Sequence, residues 1–228
     1  KDKEVAKQLT DFGHPFTSKR PTLNTDYFET FNKKNVRLID LKENPIVKIT
    51  KNGIKTKNEE LKFDKIIFAT GYDALSGPIL SLNLTGRKNI KLKKYWKNGP
   101  KTYLGLMIPY FPNFFIISGP GSPSVLTNVP AQIQQHVEWI SEFLKYLEKS
   151  KSLSVEPGPK EAENWVKKIN NLANKSLFMK AKNSWYKGDN IPGKPKTFIP
   201  YPAGLPQYRE ICNKVQKKMY KGFYISLK

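Results

Sequence analysis

Two glycines and a serine within residues 111–139 (FPNFFIISGPGSPSVLTNVPAQIQQHVEW) have a spacing that could bind an anionic or electron-rich group. They form the pattern Gly119-x-Gly121-x-x-Ser124, followed by a segment with helical periodicity. A helix N-terminus behind a glycine turn presents unpaired N–H groups and the positive end of the helix dipole. A phosphate, a carboxylate or the edge of a cofactor ring would fit there. Because Ser124 stands where a nucleotide fingerprint has Gly or Ala, an ordinary strand-to-helix turn is the alternative.

The elements on either side of this turn follow from the pattern of apolar residues. Residues 114–117 are a short apolar run, which predicts an inner strand that ends at Gly119. A helix is predicted from about residue 131 to residue 149. Its apolar face is expected to hold residues that recur at helical spacing, namely Ile133, Val137, Ile140, Leu144 and Leu147. The candidate caps are Ser124, Thr127 and Asn128, and Pro130 suits a first turn.

The rest of the chain is predicted to form short elements joined by loops. A polar helix is expected within residues 1–19, and one or two helical turns within residues 26–32. Strands are predicted at residues 36–40, 46–50, 54–56 and 65–69, with Asn52-Gly53 as a hairpin turn. Helices are predicted at residues 159–174 and 206–218. Residues 76–101 and 175–206 are irregular, and a loop as long as the second is typical of a functional segment.

Composition indicates one substantial core within one or two domains. The chain has 228 residues, of which 38% are hydrophobic and 12% aromatic. No apolar run approaches the roughly 20 residues that a transmembrane helix needs, so we expect no membrane partner. One cysteine, Cys212, and two histidines, His14 and His136, exclude a disulfide framework and a Cys- or His-based metal site. A cytoplasmic location is the default expectation. Because the chain begins at Lys1, we expect a fragment.

The net charge of +21 raises the alternative of a basic nucleic-acid-binding module. Only four of the forty basic residues are arginines, whereas surfaces that read bases favour the bidentate arginine fork. The lysines are spread along the whole chain, without zinc-ligand spacing, a helix-turn-helix pattern or an RNP-like strand. We therefore expect a lysine-rich solvated surface and no nucleic-acid partner.

Four segments, in this order, resemble the C-terminal half of the flavin-dependent Baeyer–Villiger monooxygenases of the cyclohexanone and phenylacetone monooxygenase type. They are residues 17–32 (TSKRP and DYFETFN), residues 64–74 (DKIIFATGYDA), residues 111–139 and residues 183–195 (NSWYKGDNIPGKP). The resemblance covers nearly the whole chain. It implies an α/β fold, the C-terminal portion of a flavoprotein with two dinucleotide-binding domains, which are Rossmann-like FAD and NADP domains.

The resemblance also implies a domain plan. Residues 1–17 would be the tail of a helical subdomain of the NADP region, and residues 18–62 the C-terminal part of the NADP-binding domain. Residues 63–228 would be the C-terminal part of the FAD-binding domain. Within it, residues 176–206 would be a mobile loop that contacts substrate and NADP.

The activity that the resemblance implies is oxygenation with FAD and NADPH as cofactors. The family activates O2 as a flavin C4a-peroxide and inserts one oxygen atom next to a ketone carbonyl, which gives an ester or lactone. A small-molecule ketone and O2 are the expected partners. A flavin-containing monooxygenase that oxygenates nitrogen or sulfur is the alternative enzyme.

The resemblance assigns roles to residues whose chemistry suits them. Arg20 matches the catalytic arginine placed over the flavin, where a permanent positive charge can stabilise an anionic adduct. Lys19 matches a position near the 2′-phosphate of NADP, and Trp185 matches a tryptophan that a mobile loop brings against the nicotinamide nucleotide. The turn residues that would line the flavin site are Ser122, Ser124, Val125, Leu126 and Thr127.

Three motifs that the family needs are not in this sequence. They are the glycine-rich motif for the FAD pyrophosphate, a second one for NADP, and the F-x-G-x-x-x-H-x-x-x-W signature. We therefore expect the missing N-terminal half of the same protein as a partner. Alone, the chain is expected to bind FAD weakly and to be inactive.

Overall fold

The computed structural model describes residues 2–11 and 13–227, which form two compact units. The first contains the described residues of Lys1–Gly13 together with Pro21–Tyr72. The second contains His14–Arg20 and the described residues of Asp73–Lys228. The short stretch His14–Arg20 thus belongs to a different unit from its neighbours in sequence. The domain bounds at residues 17 and 62, and the assignment to Rossmann-like domains, stay predictions.

The first unit holds two short helices and a small antiparallel sheet. Helix α1 (Lys3–Thr10) begins at Asp2, whose carboxylate accepts the backbone N–H groups of Glu4 and Val5 at 2.9 and 3.1 Å. Helix α2 spans Tyr27–Thr30. The sheet has the order β1 (Ile46–Thr50), β2 (Gly53–Thr56), β3 (Glu60–Lys62).

The predicted hairpin at Asn52-Gly53 is confirmed as the connection between β1 and β2. Gly53 pairs with Thr50 on one side and with Lys62 on the other. A Cβ atom at this position would lie 1.9 Å from the carbonyl oxygen of Leu61, so only glycine fits between its neighbours.

The strands predicted at residues 36–40 and 65–69 are wrong. Neither segment is assigned to a strand, and neither forms a ladder with another part of the described chain. Apolar, β-branched sequences favour extended backbone, but a strand exists only where a second strand accepts and donates the ladder hydrogen bonds. In this structure the side chains of Ile67 and Phe68 are 91% and 68% exposed.

The second unit is built from three long helices, two short ones and a two-stranded sheet. In chain order these are α3 (Ser76–Ser81), α4 (Leu92–Tyr95), α5 (Val129–Lys149), β4 (Ser152–Pro157), α6 (Pro159–Asn174), α7 (Gly204–Lys217) and β5 (Phe223–Leu227). Single 3-10 turns lie at Arg87–Asn89, Ser124–Leu126 and Leu177–Lys180. The helix predicted at residues 159–174 is confirmed, and those predicted at 131–149 and 206–218 begin two residues earlier.

Aromatic side chains from α5, α6, α7 and β5 form the core of the second unit. Phe143 of α5 stacks on Tyr220 with ring centroids 3.9 Å apart, and it meets Phe223 edge-on at 4.9 Å. Trp165 of α6 stacks on Tyr201 at 5.2 Å. These rings belong to one continuous core that joins α5 and α6 to the irregular segment that carries Tyr201.

The buried face of α5 differs from the prediction. Of the five residues expected on it, Ile140 and Leu147 are buried, but Ile133, Val137 and Leu144 are 39%, 45% and 49% exposed. The buried residues of the helix are Gln132, Gln135, His136, Trp139, Ile140, Phe143 and Leu147. Because α5 carries apolar residues around more than half of its circumference, periodicity alone could not select the face that packs.

The strand predicted at residues 114–117 is also wrong. Within the described part of the chain, its only strand-like pairing is an isolated bridge between Met107 and Phe115. The run is bounded by Asn113 and Ser118, which have left-handed φ angles of 59° and 58°. These turns interrupt the extended backbone before a ladder can form.

Candidate functional site

The turn at residues 118–124 has a strained backbone, and all of its residues except the half-buried Ser118 are buried in the second unit. Ser118, Gly121 and Ser124 have φ angles of 58°, 93° and 47°. For the two serines this left-handed conformation costs on the order of 1 kcal/mol each, so surrounding contacts must hold it. Gly105 packs against the turn, where a Cβ atom would lie 2.4 Å from the Ser122 nitrogen.

Hydrogen bonds from three directions hold the carbonyl groups of this turn. The Thr102 hydroxyl donates to the Pro120 oxygen at 2.6 Å, and the Trp165 indole donates to the Gly121 oxygen at 3.0 Å. The backbone N–H of Tyr201 donates to the Ser122 oxygen at 2.7 Å. The turn is therefore tied to α6 and to the segment after Trp185, and these three buried carbonyl groups are satisfied.

Polar side chains of α5 hold the turn from the remaining side. The Gln132 amide donates to the Ser122 hydroxyl at 3.0 Å, and that hydroxyl donates to the Gly119 oxygen at 2.7 Å. Nδ1 of His136 lies 3.1 Å from the Ser118 nitrogen. Gln132, His136 and Ser122 are all completely buried. These contacts with the turn explain why the N-terminal end of α5 buries polar side chains.

Burial lowers the pKa of His136 to about 4. The titratable side chains next to it on α7 are Tyr208 and, beyond it, Cys212, and burial raises the pKa of both, that of Cys212 to about 12. None of the three is charged at neutral pH. The network behind the turn therefore consists of neutral groups only.

We expect the free energy of unfolding to fall as the pH drops from about 6.5 to about 4. His136 stays neutral in the folded chain, whereas an exposed histidine gains a proton near pH 6.5, so acid stabilises the unfolded state. The contribution of His136 is fully present above pH 6.5, and about 3 kcal/mol of it is lost by about pH 4. Urea unfolding across this range measures the change. The variant His136→Asn cannot ionise at this position, so its pH dependence of unfolding gives the contribution of the carboxyl groups. Parallel pH curves for the two proteins would contradict the expectation.

Arg20 lies beside the 3-10 turn that follows Pro123. Its guanidinium donates to the Val125 carbonyl oxygen at 3.0 Å, across 105 residues of sequence. The side chain is exposed, and no carboxylate of the described chain forms an ion pair with it. One N–H group is thus committed to the turn, and the remaining donors face outward.

Tyr186 stands next to Arg20 and is only 1% exposed. Its hydroxyl lies beside the Arg20 backbone but has no bond that meets hydrogen-bond geometry. Burial raises the pKa of this phenol, and the nearby Arg20 charge opposes the rise. A buried, unpaired hydroxyl beside an arginine is a group that a bound molecule can satisfy.

Of the other residues singled out from the sequence, Trp185 is half-buried and lies against Tyr186, with ring centroids 4.6 Å apart. Lys19 is half-buried, and no contact ties its ammonium to a described carboxylate. The structure therefore brings Lys19, Arg20, Trp185 and the turn together in one unit.

The five residues expected to line the flavin site differ in burial and in the polar groups that they leave free. Ser122 and Ser124 are buried, and the Ser122 hydroxyl is fully used within the protein. Val125, Leu126 and Thr127 are half-buried. The backbone N–H groups of Ser124 and Val125 donate to no acceptor among the described residues. Asn128 caps α5 by accepting the Ala131 N–H at 3.1 Å, which confirms one of the three candidate caps.

The expected mobile loop at residues 176–206 is anchored at several points. The Thr197 N–H donates to Lys187, the Ile199 N–H to Tyr186, and Ile199 accepts the Gly121 N–H at 2.8 Å. The Asp189 carboxylate accepts the Ser184 N–H and pairs with Lys187 at 3.0 Å. Lys194 of the same loop pairs with the Asp73 carboxylate, and mobility of the loop stays a prediction.

Comparison with known proteins identifies relatives of this chain over its whole length. No family model matches the chain. A cyclohexanone 1,2-monooxygenase from Acinetobacter sp is 39% identical over 228 residues, which are 100% of this chain and 41% of that protein. A solved structure of OTEMO in complex with FAD and NADP matches with a TM-score of 0.93 at 33% identity, covering 99% of this chain and 42% of that one. The chain belongs to the Baeyer–Villiger monooxygenase family.

The chain spans about two fifths of the length of the Baeyer–Villiger monooxygenases that it matches, 41% and 42% in these two cases. Its mixed helix and strand content corresponds to that portion of their fold. A phenazine N-monooxygenase, PhzNO1 of Lysobacter antibioticus, is 36% identical over 228 residues, covering 99% of this chain and 41% of that protein. The chain is therefore about as similar to a relative named for the oxygenation of nitrogen as it is to the cyclohexanone monooxygenase.

Sequence reasoning missed three residues of this Baeyer–Villiger monooxygenase portion, namely Gln132, His136 and Tyr186. The two polar residues on α5 lie one turn apart at the end next to the glycine turn, a pattern that marks an inward polar stripe. His136 was considered only as a metal ligand and as the histidine of the F-x-G-x-x-x-H-x-x-x-W signature. Within residues 2–11 and 13–227, no group of histidine, cysteine or acidic side chains could hold a metal ion. Over the same residues no helix is long and apolar enough to span a bilayer.

Proposed function

We propose that this chain forms one wall of the FAD and NADP site of a monooxygenase that inserts an oxygen atom from O2 next to a ketone carbonyl. The observation that carries the proposal is the hydrogen bond from Arg20 to the Val125 carbonyl. It joins the two segments that the resemblance assigns to catalysis and to the flavin site, which are 105 residues apart in sequence. FAD, when bound and reduced by NADPH, would supply the electrons that activate O2.

The groups of this wall fit an electron-rich ring. The free N–H groups of Ser124 and Val125 and the N-terminal end of α5 offer positive potential at the turn. The unpaired Tyr186 hydroxyl and the outward donors of Arg20 lie on the same side of the unit as Val125. The Ser122 side chain would contribute by fixing the turn, because its hydroxyl is already bonded within the protein.

Arg20 would stabilise negative charge that develops on the reacting oxygen atoms. A guanidinium carries its charge at every working pH and donates in several directions, so one N–H can hold the protein while others face the reactants. The bond to Val125 fixes the position of the charge before the reaction. A preorganised donor of this kind typically lowers a barrier by about 3 kcal/mol.

Lys19 and Trp185 would bind NADP. A lysine ammonium favours the additional 2′-phosphate as a point charge. The half-buried indole of Trp185, backed by Tyr186, offers a flat apolar surface for a nucleotide. Movement of the loop at residues 176–206, which carries Trp185, would let its indole close over the site and exclude water.

This chain alone is expected to purify without stoichiometric FAD and to show no NADPH-dependent turnover. The glycine-rich motifs that would hold the pyrophosphate groups are not in its sequence. The absorbance of purified protein near the flavin band and the rate of NADPH oxidation measure both properties. A yellow preparation with one FAD per chain would refute the expectation.

The proposed function is tested by joining this chain to the part of the Acinetobacter relative that it does not cover. The chimera should bind FAD and convert cyclohexanone to its lactone with one oxygen atom derived from labelled O2. A flavin-loaded chimera that consumes NADPH but forms no oxygenated product would contradict the proposal.

Oxygenation of nitrogen or sulfur is the second candidate, and its support is the 36% identity to the phenazine N-monooxygenase. Incubating the same chimera with a ketone, a thioether and a phenazine separates the two by product. A ketone, O2 and the remaining portion of the enzyme are the proposed partners, and the cytoplasm is the proposed location. The nucleic-acid alternative predicts tight binding that weakens steeply with salt, which a gel-shift experiment checks.

A further inference from the structure

His136 lies on α5 behind the turn, with both ring nitrogens close to polar groups. Nδ1 faces the Ser118 N–H at 3.1 Å, and Nε2 lies 3.0 Å from the Tyr208 hydroxyl oxygen. The Tyr208 hydroxyl also lies 2.6 Å from the Leu104 carbonyl oxygen, which can only accept. His136, Tyr208 and Leu104 are completely buried, whereas Ser118 is half-buried.

Only one tautomer of the neutral ring satisfies all of these contacts. A backbone N–H can only donate, so Nδ1 must present its lone pair to Ser118. Nε2 then carries the hydrogen and donates to Tyr208, whose own hydrogen goes to Leu104. The Gln132 amide nitrogen, 3.5 Å from Nε2, donates instead to Ser122. A proton on Nδ1 would leave the Ser118 N–H without this acceptor.

The Ser118 N–H is the point at which the strained turn starts. Ser118 adopts a left-handed φ of 58°, which a serine holds only when neighbouring contacts fix it. The Ser118 hydroxyl and the Ser122 hydroxyl are both within reach of Gln132, one helical turn before His136. The turn then leads through Ser124 into Val125, whose carbonyl receives Arg20.

We propose that His136 is a positioning residue, and that its Nδ1 lone pair fixes the turn at residues 118–124 in the conformation that presents the Val125 carbonyl to Arg20. The chemical importance of Arg20 rests on the proposed function. The positioning effect that runs from His136 through Ser118 to Val125 does not depend on the proposed function, because it consists only of contacts within this chain. No group from outside the chain takes part in it.

Two substitutions of His136 distinguish the effect of the Nδ1 lone pair from the effect of changing the size of the side chain. In asparagine the amide oxygen is two bonds from Cβ, as Nδ1 is in histidine, so His136→Asn keeps an acceptor for Ser118. In glutamine the terminal amide atoms are three bonds from Cβ, as Nε2 is, so His136→Gln keeps a partner for Tyr208 and loses the acceptor. Both variants remain polar and uncharged.

The test uses nitrogen-15 labelled full chain at neutral pH, without cofactor or substrate. The ring nitrogens should show the neutral tautomer with hydrogen on Nε2. The Ser118 amide should exchange its hydrogen slowly in the wild type and in His136→Asn, and roughly tenfold or more faster in His136→Gln. The Arg20 side-chain N–H signal should move toward that of a free arginine in His136→Gln only.

Two results would overturn the proposal. One is a wild-type ring with hydrogen on Nδ1, which is readable even if both variants fail to fold. The other is Ser118 exchange that is equally slow in His136→Gln and in the wild type. Since none of these measurements involves turnover, a failure of the proposed function would appear separately, as a flavin-loaded chimera without product.

Discussion

Replacing Arg20 by alanine is expected to lower ester formation by about 10²–10³-fold in the flavin-loaded chimera, while NADPH oxidation continues and releases hydrogen peroxide. Among the residues that the structure describes, the Arg20 guanidinium is the one permanent positive charge bonded to the 3-10 turn Ser124–Leu126, through the Val125 carbonyl. Without it, negative charge on the reacting oxygen atoms loses its nearest stabilising group. Reduction of the flavin by NADPH does not need that charge, so electrons are consumed without product.

Product yield, NADPH consumption and peroxide release measured on the same sample give this result directly. Arg209→Ala is the matched control, because it removes the same charge from α7, where the side chain lies beside α5 and forms no hydrogen bond with the turn. Arg20→Lys keeps the charge but loses the planar fork, and it is expected to recover only part of the activity. An unchanged ester yield in Arg20→Ala would rule out the assigned role.

Replacing Phe143 by alanine is expected to lower the free energy of unfolding of the chain by about 3–5 kcal/mol. Its ring is completely buried, stacks on Tyr220 at 3.9 Å, and contacts Trp139 and Phe223 edge-on at 5.3 and 4.9 Å. Truncation leaves a cavity between α5 and β5 that rigid aromatic neighbours cannot fill.

The neighbouring residue supplies the control. Leu144→Ala removes an apolar side chain of the same helix that is 49% exposed, so we expect a change within about 0.5 kcal/mol. Urea unfolding of the wild type and both variants compares the two sites. Destabilisation by Leu144→Ala as large as that by Phe143→Ala would mean that α5 packs through the face predicted from its sequence.

The sequence predicted helices and tight turns well because their determinants are local. Pro159 at the first helical position and apolar residues at helical spacing mark α6, and Asn52-Gly53 marks the hairpin. The order of the four family-like segments also indicated the family, which the relatives confirm. None of these conclusions requires knowledge of what lies beside an element in space.

Strands and buried faces were predicted poorly because they depend on distant partners. Residues 65–69 have strand-like composition, but the described chain provides no second strand for a ladder. Helix α5 has apolar residues at both Phe143 and Leu144, and only contacts with Tyr220 and Phe223 select the first as core. Hydrophobic periodicity indicates which residues can be buried, and tertiary packing determines which of them are buried.

The sequence by itself determined the family of this chain, its principal helices and the residues Arg20, Lys19 and Trp185 as candidates. The tertiary structure alone decided that Arg20 bonds to Val125, and that His136 and Gln132 stand behind the turn. The physical reason is the range of the interactions. Caps, turns and propensities act over a few residues, whereas a bond across 105 residues exists only once the intervening chain has packed.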